Sequence, residues 1–211
     1  MKSVAIVGAY GFIGGHLSTR YKNHKKFGRQ NIMDLESDNS DITIVAAAPA
    51  TKWIANAEPE KDLMNIKNLI YSLRTIQRRK CVLISTIDVF PTNYEFDEDS
   101  VVLTNHEEAY GANRSYLETE LANFLEDLHI IRLPGMYGPG LKKNLIFDLA
   151  NKKEPPKLNP SSTFQFYDVR SLPGHIELCL DNDVKVLNLA TEPVSVKEIY
   201  FDCFGLKPIN S

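Results

Sequence analysis

The sequence predicts an α/β protein built on a doubly wound parallel sheet. Three observations predict it: short apolar runs rich in β-branched residues, helical patterns that alternate with them, and a glycine-rich turn between the first run and the first helix. Alternation of this kind argues for parallel strands with helices on both faces.

Taken in order, residues 3–7 read as the first strand. Ile13, Leu17 and Tyr21 then recur every fourth position, in a helix that begins inside the glycine turn. Residues 41–48 form a second clear strand, Ile-Thr-Ile-Val running into three alanines and a proline. Leu63, Ile66, Ile70 and Leu73 stripe a long helix, and residues 81–85 are a strand again. A helix over 108–125 carries Leu117, Leu121, Phe124 and Leu125 on one face, followed by a strand at 130–133 and a helix at 141–150. Beyond residue 151 come Pro155, Pro156 and Pro160, then a strand near 163–166 and a helix around 172–180. A strand at 185–189 and a helix at 196–204 complete the pattern. Residues 23–41 alone separate the first helix from the next strand. A strand, a crossover helix and a third strand need more chain, so a compressed or missing crossover is expected there.

Composition narrows the function. The formal net charge is −3, and the basic clusters Lys25-Lys26 and Arg78-Arg79-Lys80 are short enough to read as solvated faces. Neither nucleic acid nor a membrane surface is therefore an expected partner. No apolar run approaches the roughly 18 residues of a membrane span. The apolar start breaks at Gly8, as a strand entering a turn does and a secretory leader does not. Cys81, Cys179 and Cys203 have neither disulfide nor metal spacing, and the five histidines form no ligand pair, so no metal site is expected. Cys81 stands in an apolar run and reads as a buried, inert thiol. The expected compartment is a reducing cytoplasm.

Gly8-Ala9-Tyr10-Gly11-Phe12-Ile13-Gly14 spaces its glycines by three residues. Such spacing allows a tight turn, close approach of backbone N–H groups to a pyrophosphate, and close packing of helix on strand. The helix N-terminus adds a partial positive charge facing the phosphates. Between a strand and a helix, the motif reads as the pyrophosphate corner of a Rossmann-type NAD(P)-binding domain. The plain alternative is a glycine turn that binds nothing.

A second constellation joins Ser85 and Thr86, at a strand end, to Tyr110 and Arg114 on a later helix. Four residues apart, Tyr110 and Arg114 share a helical face. Leu117 and Leu121 continue that face, so it points toward the core and the carboxyl ends of the strands, where ligands of open α/β sheets bind. Taken alone, a buried tyrosine and an arginine snorkelling to solvent explain the pair as well.

These stretches in this order resemble the extended short-chain dehydrogenase/reductases, and more closely the dTDP-4-dehydrorhamnose reductase branch of the NAD-dependent epimerases and dehydratases. The resemblance rests on residues 4–14, 41–49, 82–90 (VLISTIDVF), 94–120 (with AYGANRSYLETE) and 130–140 (IIRLPGMYGPG), about two-thirds of the chain. It implies a 1–140 NAD(P)-binding domain and a small 141–211 substrate lobe packed on it, shorter than the family's usual C-terminal region. It further implies a hydride transfer on a nucleotide-sugar with NAD or NADP. Gly8, Gly11, Phe12, Ile13 and Gly14 would hold the pyrophosphate, and Ala46, Ala47 and Ala48 would flank the sugar-phosphate. Residues 133–136, Pro134 among them, would back the nicotinamide. Thr86, with Ser85 beside it, would hydrogen-bond the substrate oxygen, and Tyr110 would be the general acid/base.

The family places lysine four residues after the tyrosine, where this chain has Arg114. A tyrosine of ordinary pKa, about 10, is a poor base at neutral pH. A cation within about 4–6 Å lowers it by one to three units. Arginine keeps the charge but is planar and bulkier. Two readings follow: an altered working pair, or a site partly retired to ligand binding as a non-catalytic NAD(P)-binding regulator. Asp34, twenty residues beyond Gly14, favours NAD through a ribose hydroxyl, whereas Arg29, Lys25 and Lys26 favour a 2′-phosphate; solvated loop charge is the third reading. Asn144 and Arg170 are candidate substrate contacts, and Lys52 and Trp53 candidate cleft residues. The helices over 60–77 and 108–125 match those that pair in the family's dimers, so a homodimer is expected.

Overall fold

Val, Ala and Ile fill Val4–Val7, the first strand β1, and all four residues are buried. The computed structural model describes residues 2–76, 79–91, 96–100, 102, 108–152 and 159–205; Gln77, Arg78, Tyr94, Pro155 and Pro156 lie outside them. In chain order β1 is followed by α1 (Phe12–Arg20), β2 (His24–Phe27), β3 (Ile42–Val45), α2 (Lys52–Ala57), α3 (Pro59–Leu73) and β4 (Lys80–Thr86). Then come α4 (Ala109–Ala122), β5 (Asp127–Leu133), β6 (Gly135–Tyr137), α5 (Leu145–Ala150), β7 (Thr163–Phe164) and β8 (Phe166–Asp168). The last elements are α6 (Leu172–Asp181), β9 (Val186–Asn188), β10 (Val194–Ser195) and α7 (Val196–Glu198).

Six strands form one sheet in the order β2-β1-β3-β4-β5-β9, every neighbouring pair parallel. This is the Rossmann-type doubly wound sheet the alternation predicts. The central strands are nearly continuous apolar runs because helices cover both of their faces. Ile66, Leu69, Ile70 and Leu73 of α3 and Leu117 and Leu121 of α4 pack with Ala5, Val7, Val45 and Leu83 of the sheet. The chain leaves β1 on one side for β2 and returns on the other as β3, so the crevice at this switch point opens beside the glycine turn.

The crossover is compressed, as the chain length requires. A single 3-10 helix, Ile32–Ser37, stands between β2 and β3. The buried Asp38 anchors it, accepting from Lys25 Nζ of β2 at 2.7 Å, from Arg79 Nη1 at 3.2 Å and from the Ser40 backbone at 3.1 Å. One correction concerns β2 itself, which the sequence reading leaves out. Its His-Lys-Lys-Phe buries only Phe27, so its apolar pattern is nearly blank. Lysines on an exposed edge strand discourage pairing with another chain.

The chain divides into two compact units, Met1–Leu133 with Ser171–Asn188, and Pro134–Arg170 with Leu189–Ser211. A single cut after residue 140 does not describe this. The strand β9 pairs with β5 through Ile130–Val186, Ile131–Leu187 and Arg132–Asn188, and a parallel neighbour needs a crossover, which α6 supplies. Within the second unit β6 pairs with β8 and β7 with β10, around Leu145, Leu149, Val196, Ile199 and Tyr200. The helix expected at 141–150 starts only at Leu145, because Asn144 caps it by accepting from the Phe147 amide at 3.0 Å. The helix expected at 196–204 is one α-turn, closed by a Ser195–Glu198 capping box, that widens into a π-turn at Ile199–Cys203. Among the described residues no helix is long and apolar enough to cross a membrane. Cys81 is fully buried and burial pushes its thiol up to about 12, which fits an inert core thiol.

Candidate active site

The glycine turn sits at the carboxyl end of β1. Gly8 donates to the Phe27 carbonyl at the end of β2 (2.8 Å), and Gly11 donates back to the Gly8 carbonyl (3.0 Å). Gly8 has φ +87°, and a Cβ there would lie 2.3 Å from the Ala46 carbonyl oxygen, so only glycine fits. A Cβ on Gly14 would lie 2.1 Å from the Gly8 carbonyl oxygen. That second glycine lets α1 pack directly on the turn. Gly15, by contrast, has open space where its Cβ would be. The two motifs read separately from sequence, the glycine turn and the alanine segment, thus meet in one backbone junction at Gly8, Ala46 and Ala47.

The amino end of α1 fits an anion. Gly11 is its N-cap, no side chain caps it, and no acidic residue stands in its first turn, which is Phe12, Ile13 and Gly14. Uncapped first-turn N–H groups and the helix dipole favour a phosphate there. A dinucleotide pyrophosphate therefore suits these residues.

Ser85 and Thr86 end β4, and Thr86 is buried. Its hydroxyl donates to Asp88 Oδ2 at 3.0 Å and accepts from the Asp88 backbone N–H at 3.1 Å. Tyr110 stands in the first turn of α4, its N–H donating to Asn56 Oδ1 of α2 at 2.9 Å. Arg114, one turn on, lies over the Tyr110 ring with its guanidinium carbon 4.4 Å from the ring centre. Thr86, Tyr110 and Arg114 are therefore neighbours, with the Thr86 and Arg114 side chains hydrogen-bonded to the Tyr110 hydroxyl.

Arg114 does not snorkel to solvent: it is 2% exposed. Its Nη1 donates to Asp62 Oδ2 of α3 at 2.7 Å, its Nη2 donates to Asp62 Oδ1 at 3.1 Å and also to the Pro49 carbonyl, and its Nε has no hydrogen-bond partner among the described residues. Asn113 Nδ2 donates to the same Asp62 carboxylate at 2.8 Å. The cation is thus neutralised by a buried, two-point ion pair. Tyr110 is held above its ordinary value by burial, which outweighs the lowering pull of the Arg114 charge and of the tyrosine's hydrogen bonds to Thr86 and Arg114. The Asp88 charge adds to the rise. The resemblance implies a tyrosine lowered toward neutrality by its cation; in the chain alone burial holds it on the other side of its ordinary value.

The remaining residues fall in different places. Asp34 is exposed in the 3-10 helix, beyond the end of β2. Arg29 is exposed just past Gly28, at the carboxyl end of β2. Pro134 follows β5 directly and opens the second unit. In that unit Asn144 is occupied as a helix cap, donating also to the Met136 carbonyl at 2.7 Å, and Arg170 is paired with Asp168 at 2.5 Å. Lys52 pairs with Asp88 at 2.9 Å and Glu108 at 2.5 Å, while Trp53 is exposed. The sequence reading passes over Asp62 and Asp88. Asp88, two residues after Thr86, was open to discovery by its spacing; Asp62 lies 52 positions from Arg114 and has no local signal.

No family model matches the chain, and no curated protein matches it in sequence. Solved structures do match in shape. MoeE5 in complex with UDP-glucuronic acid and NAD is 20% identical with a TM-score of 0.81, covering 99% of this chain and 84% of that one. The dTDP-4-dehydrorhamnose reductase of Bacillus anthracis in complex with NADP is 18% identical with a TM-score of 0.79, covering 98% and 82%. The UDP-N-acetylglucosamine 4-epimerase of Methanobrevibacter ruminantium, in complex with UDP-N-acetylmuramic acid, is 19% identical with a TM-score of 0.78, covering 95% and 81%. At such identities the likeness shows the fold: this chain is folded as those three proteins are.

Proposed function

We propose that the chain is an NAD(P)-dependent reductase or epimerase of a nucleotide-sugar, with Tyr110 as its general acid/base. One observation carries the reading: the glycine turn locked against Ala46 at the switch point, with Thr86 and Tyr110 meeting at the carboxyl end of the nearby strand β4. The neighbours' own ligands, NAD with UDP-glucuronic acid, NADP, and UDP-N-acetylmuramic acid, support the cofactor and substrate class. Phe12 and Ile13 amides would hold the pyrophosphate, and the alanine segment would leave room for the sugar-phosphate. A bound nicotinamide supplies hydride transfer. Tyr110 moves the proton that accompanies it, at the substrate oxygen, and Thr86 positions that oxygen. Pro134 would lie against the nicotinamide and Asp34 at the adenosine ribose.

Thr86, Tyr110 and Arg114 are the proposed catalytic set. The ion pair to Asp62 favours a second reading, a non-catalytic NAD(P)-binding regulator, because Arg114 is no longer a free cation beside Tyr110. Tyr110→Phe separates the two. Loss of turnover with a panel of UDP- and dTDP-sugars, at nearly unchanged cofactor affinity, is the enzyme result; wild-type binding without turnover of any sugar is the regulator result. A homodimer through α3 and α4 belongs to the same proposal, supported by the exposed Met64 and Tyr71 seven residues apart on α3. A monomer by light scattering at micromolar concentration rejects it. A cytoplasmic location is proposed from the free cysteines.

A further inference from the structure

Gly28 follows the last residue of β2 directly, at the strand end to which the glycine turn is tied by the Gly8 N–H and the Phe27 carbonyl. A Cβ on Gly28 would lie 2.8 Å from Cδ2 and 3.0 Å from Cε2 of Tyr10, so the tyrosine ring rests on a bare Cα. Gly28 does not lie in the left-handed region; the ring, not the backbone, is what calls for glycine here. Tyr10 is nevertheless 75% exposed, so the ring is seated on the strand end and otherwise open. Polar side chains of this corner turn inward. Asn31 accepts from the Gly28 N–H through Oδ1 at 2.8 Å and donates to the Lys26 carbonyl through Nδ2 at 2.9 Å, and Asp38 is closed on Lys25. Between this strand end and β3 stands one short 3-10 helix, Ile32–Ser37, which leaves little chain to wall the corner.

We infer that Tyr10, seated on Gly28, is the platform for the adenosine half of the dinucleotide, which lies against the open face of its ring. The inference rests on the NAD(P) reading above and adds a binding residue to it. Gly11 is the N-cap of α1, so a pyrophosphate on the first-turn amides stands next to Tyr10 in the chain. From there the adenosine half runs toward the strand beside β1, where dinucleotide folds usually offer the ribose an acidic side chain. In this chain the position right after β2 carries no side chain, and the Tyr10 ring takes up the room. An aromatic face suits a nucleoside, because every base has a π-face to stack and needs no particular hydrogen-bond pattern. The ring is already seated in the free chain, so binding need not order it.

The test is a fluorescence titration of NADH and NADPH into the whole chain, followed by displacement with ADP, which carries the adenosine half, and with inorganic pyrophosphate, which does not. Tyr10→Ala should weaken ADP by about fivefold or more, whereas Tyr10→Phe, which keeps the ring, should stay within about twofold of the wild type. Gly28→Ala should weaken ADP as well, because the new Cβ pushes the ring off the strand end. Pyrophosphate should bind the wild type and all three variants alike. A ring that only braced the glycine turn would instead lose ADP and pyrophosphate together. ADP binding that is unchanged or tighter in either alanine variant, or that falls only in step with pyrophosphate, overturns the inference and leaves the NAD(P) reading standing. A wild type that binds neither NADH nor NADPH overturns both.

Discussion

Removing Asp62 should unfold the site from behind. In Asp62→Ala, Arg114 stays almost fully buried while both its Nη contacts to the carboxylate disappear, and Asn113 loses its 2.8 Å partner as well. Breaking a buried ion pair from one side costs about 3–5 kcal/mol, because the charge left behind has no water to return to. For a chain of this size that corresponds to a Tm lower by roughly 6–20 °C. Replacing both partners at once, Asp62→Leu with Arg114→Met, removes the orphaned charge and should recover most of the loss. Thermal and urea unfolding followed by circular dichroism measures all three proteins. If Asp62→Ala costs less than about 1 kcal/mol, the pair is solvated like a surface salt bridge and the neutralisation argument fails.

Two further outcomes follow from the same geometry. Gly15→Ala, on α1 with open space at its Cβ, should raise stability by about 0.5–1 kcal/mol in urea unfolding through helix propensity alone; a loss would mean that the helix face is packed. Asp38 is held below the ordinary carboxylate value: burial pushes it up, but Lys25 and Ser40 more than offset that. A depressed folded-state pKa contributes stability above the unfolded value, about 3.9, and that contribution is lost as pH falls through the folded value. The stability gap between wild type and Asp38→Asn should accordingly be widest near neutral pH and close below about pH 4 in acid titrations of unfolding; a gap constant from pH 7 to 3 refutes it.

Legibility in the sequence followed burial pattern. The strands β1, β3, β4 and β5 are apolar runs closed on both faces, and α3 and α4 carry regular apolar stripes, so each announces itself locally. The strand β2 buries one residue of four, and its lysines look like a solvated loop until β1 is placed beside it. The compressed crossover was readable from chain length, yet its closure on Asp38 was not, since Lys25, Asp38 and Arg79 meet only in three dimensions. At the site, the spacing of Tyr110 and Arg114 gave their shared face. It gave no hint that Asp62 would take the arginine's charge. Helical spacing places side chains on a face, but partners from another helix decide what charge the tyrosine feels.

The most direct test is a fluorescence titration of NADH and NADPH into the wild type and Gly14→Ala. The Cβ of that alanine would lie 2.1 Å from the Gly8 carbonyl oxygen, so helix and turn must separate and the first-turn amides must leave the pyrophosphate. Saturable binding of at least one cofactor by the wild type is predicted, weakened about tenfold or more in Gly14→Ala, a loss of roughly 1.4 kcal/mol. A wild-type chain that binds neither cofactor, or a Gly14→Ala chain that binds as tightly, contradicts the assignment of the glycine turn to a dinucleotide.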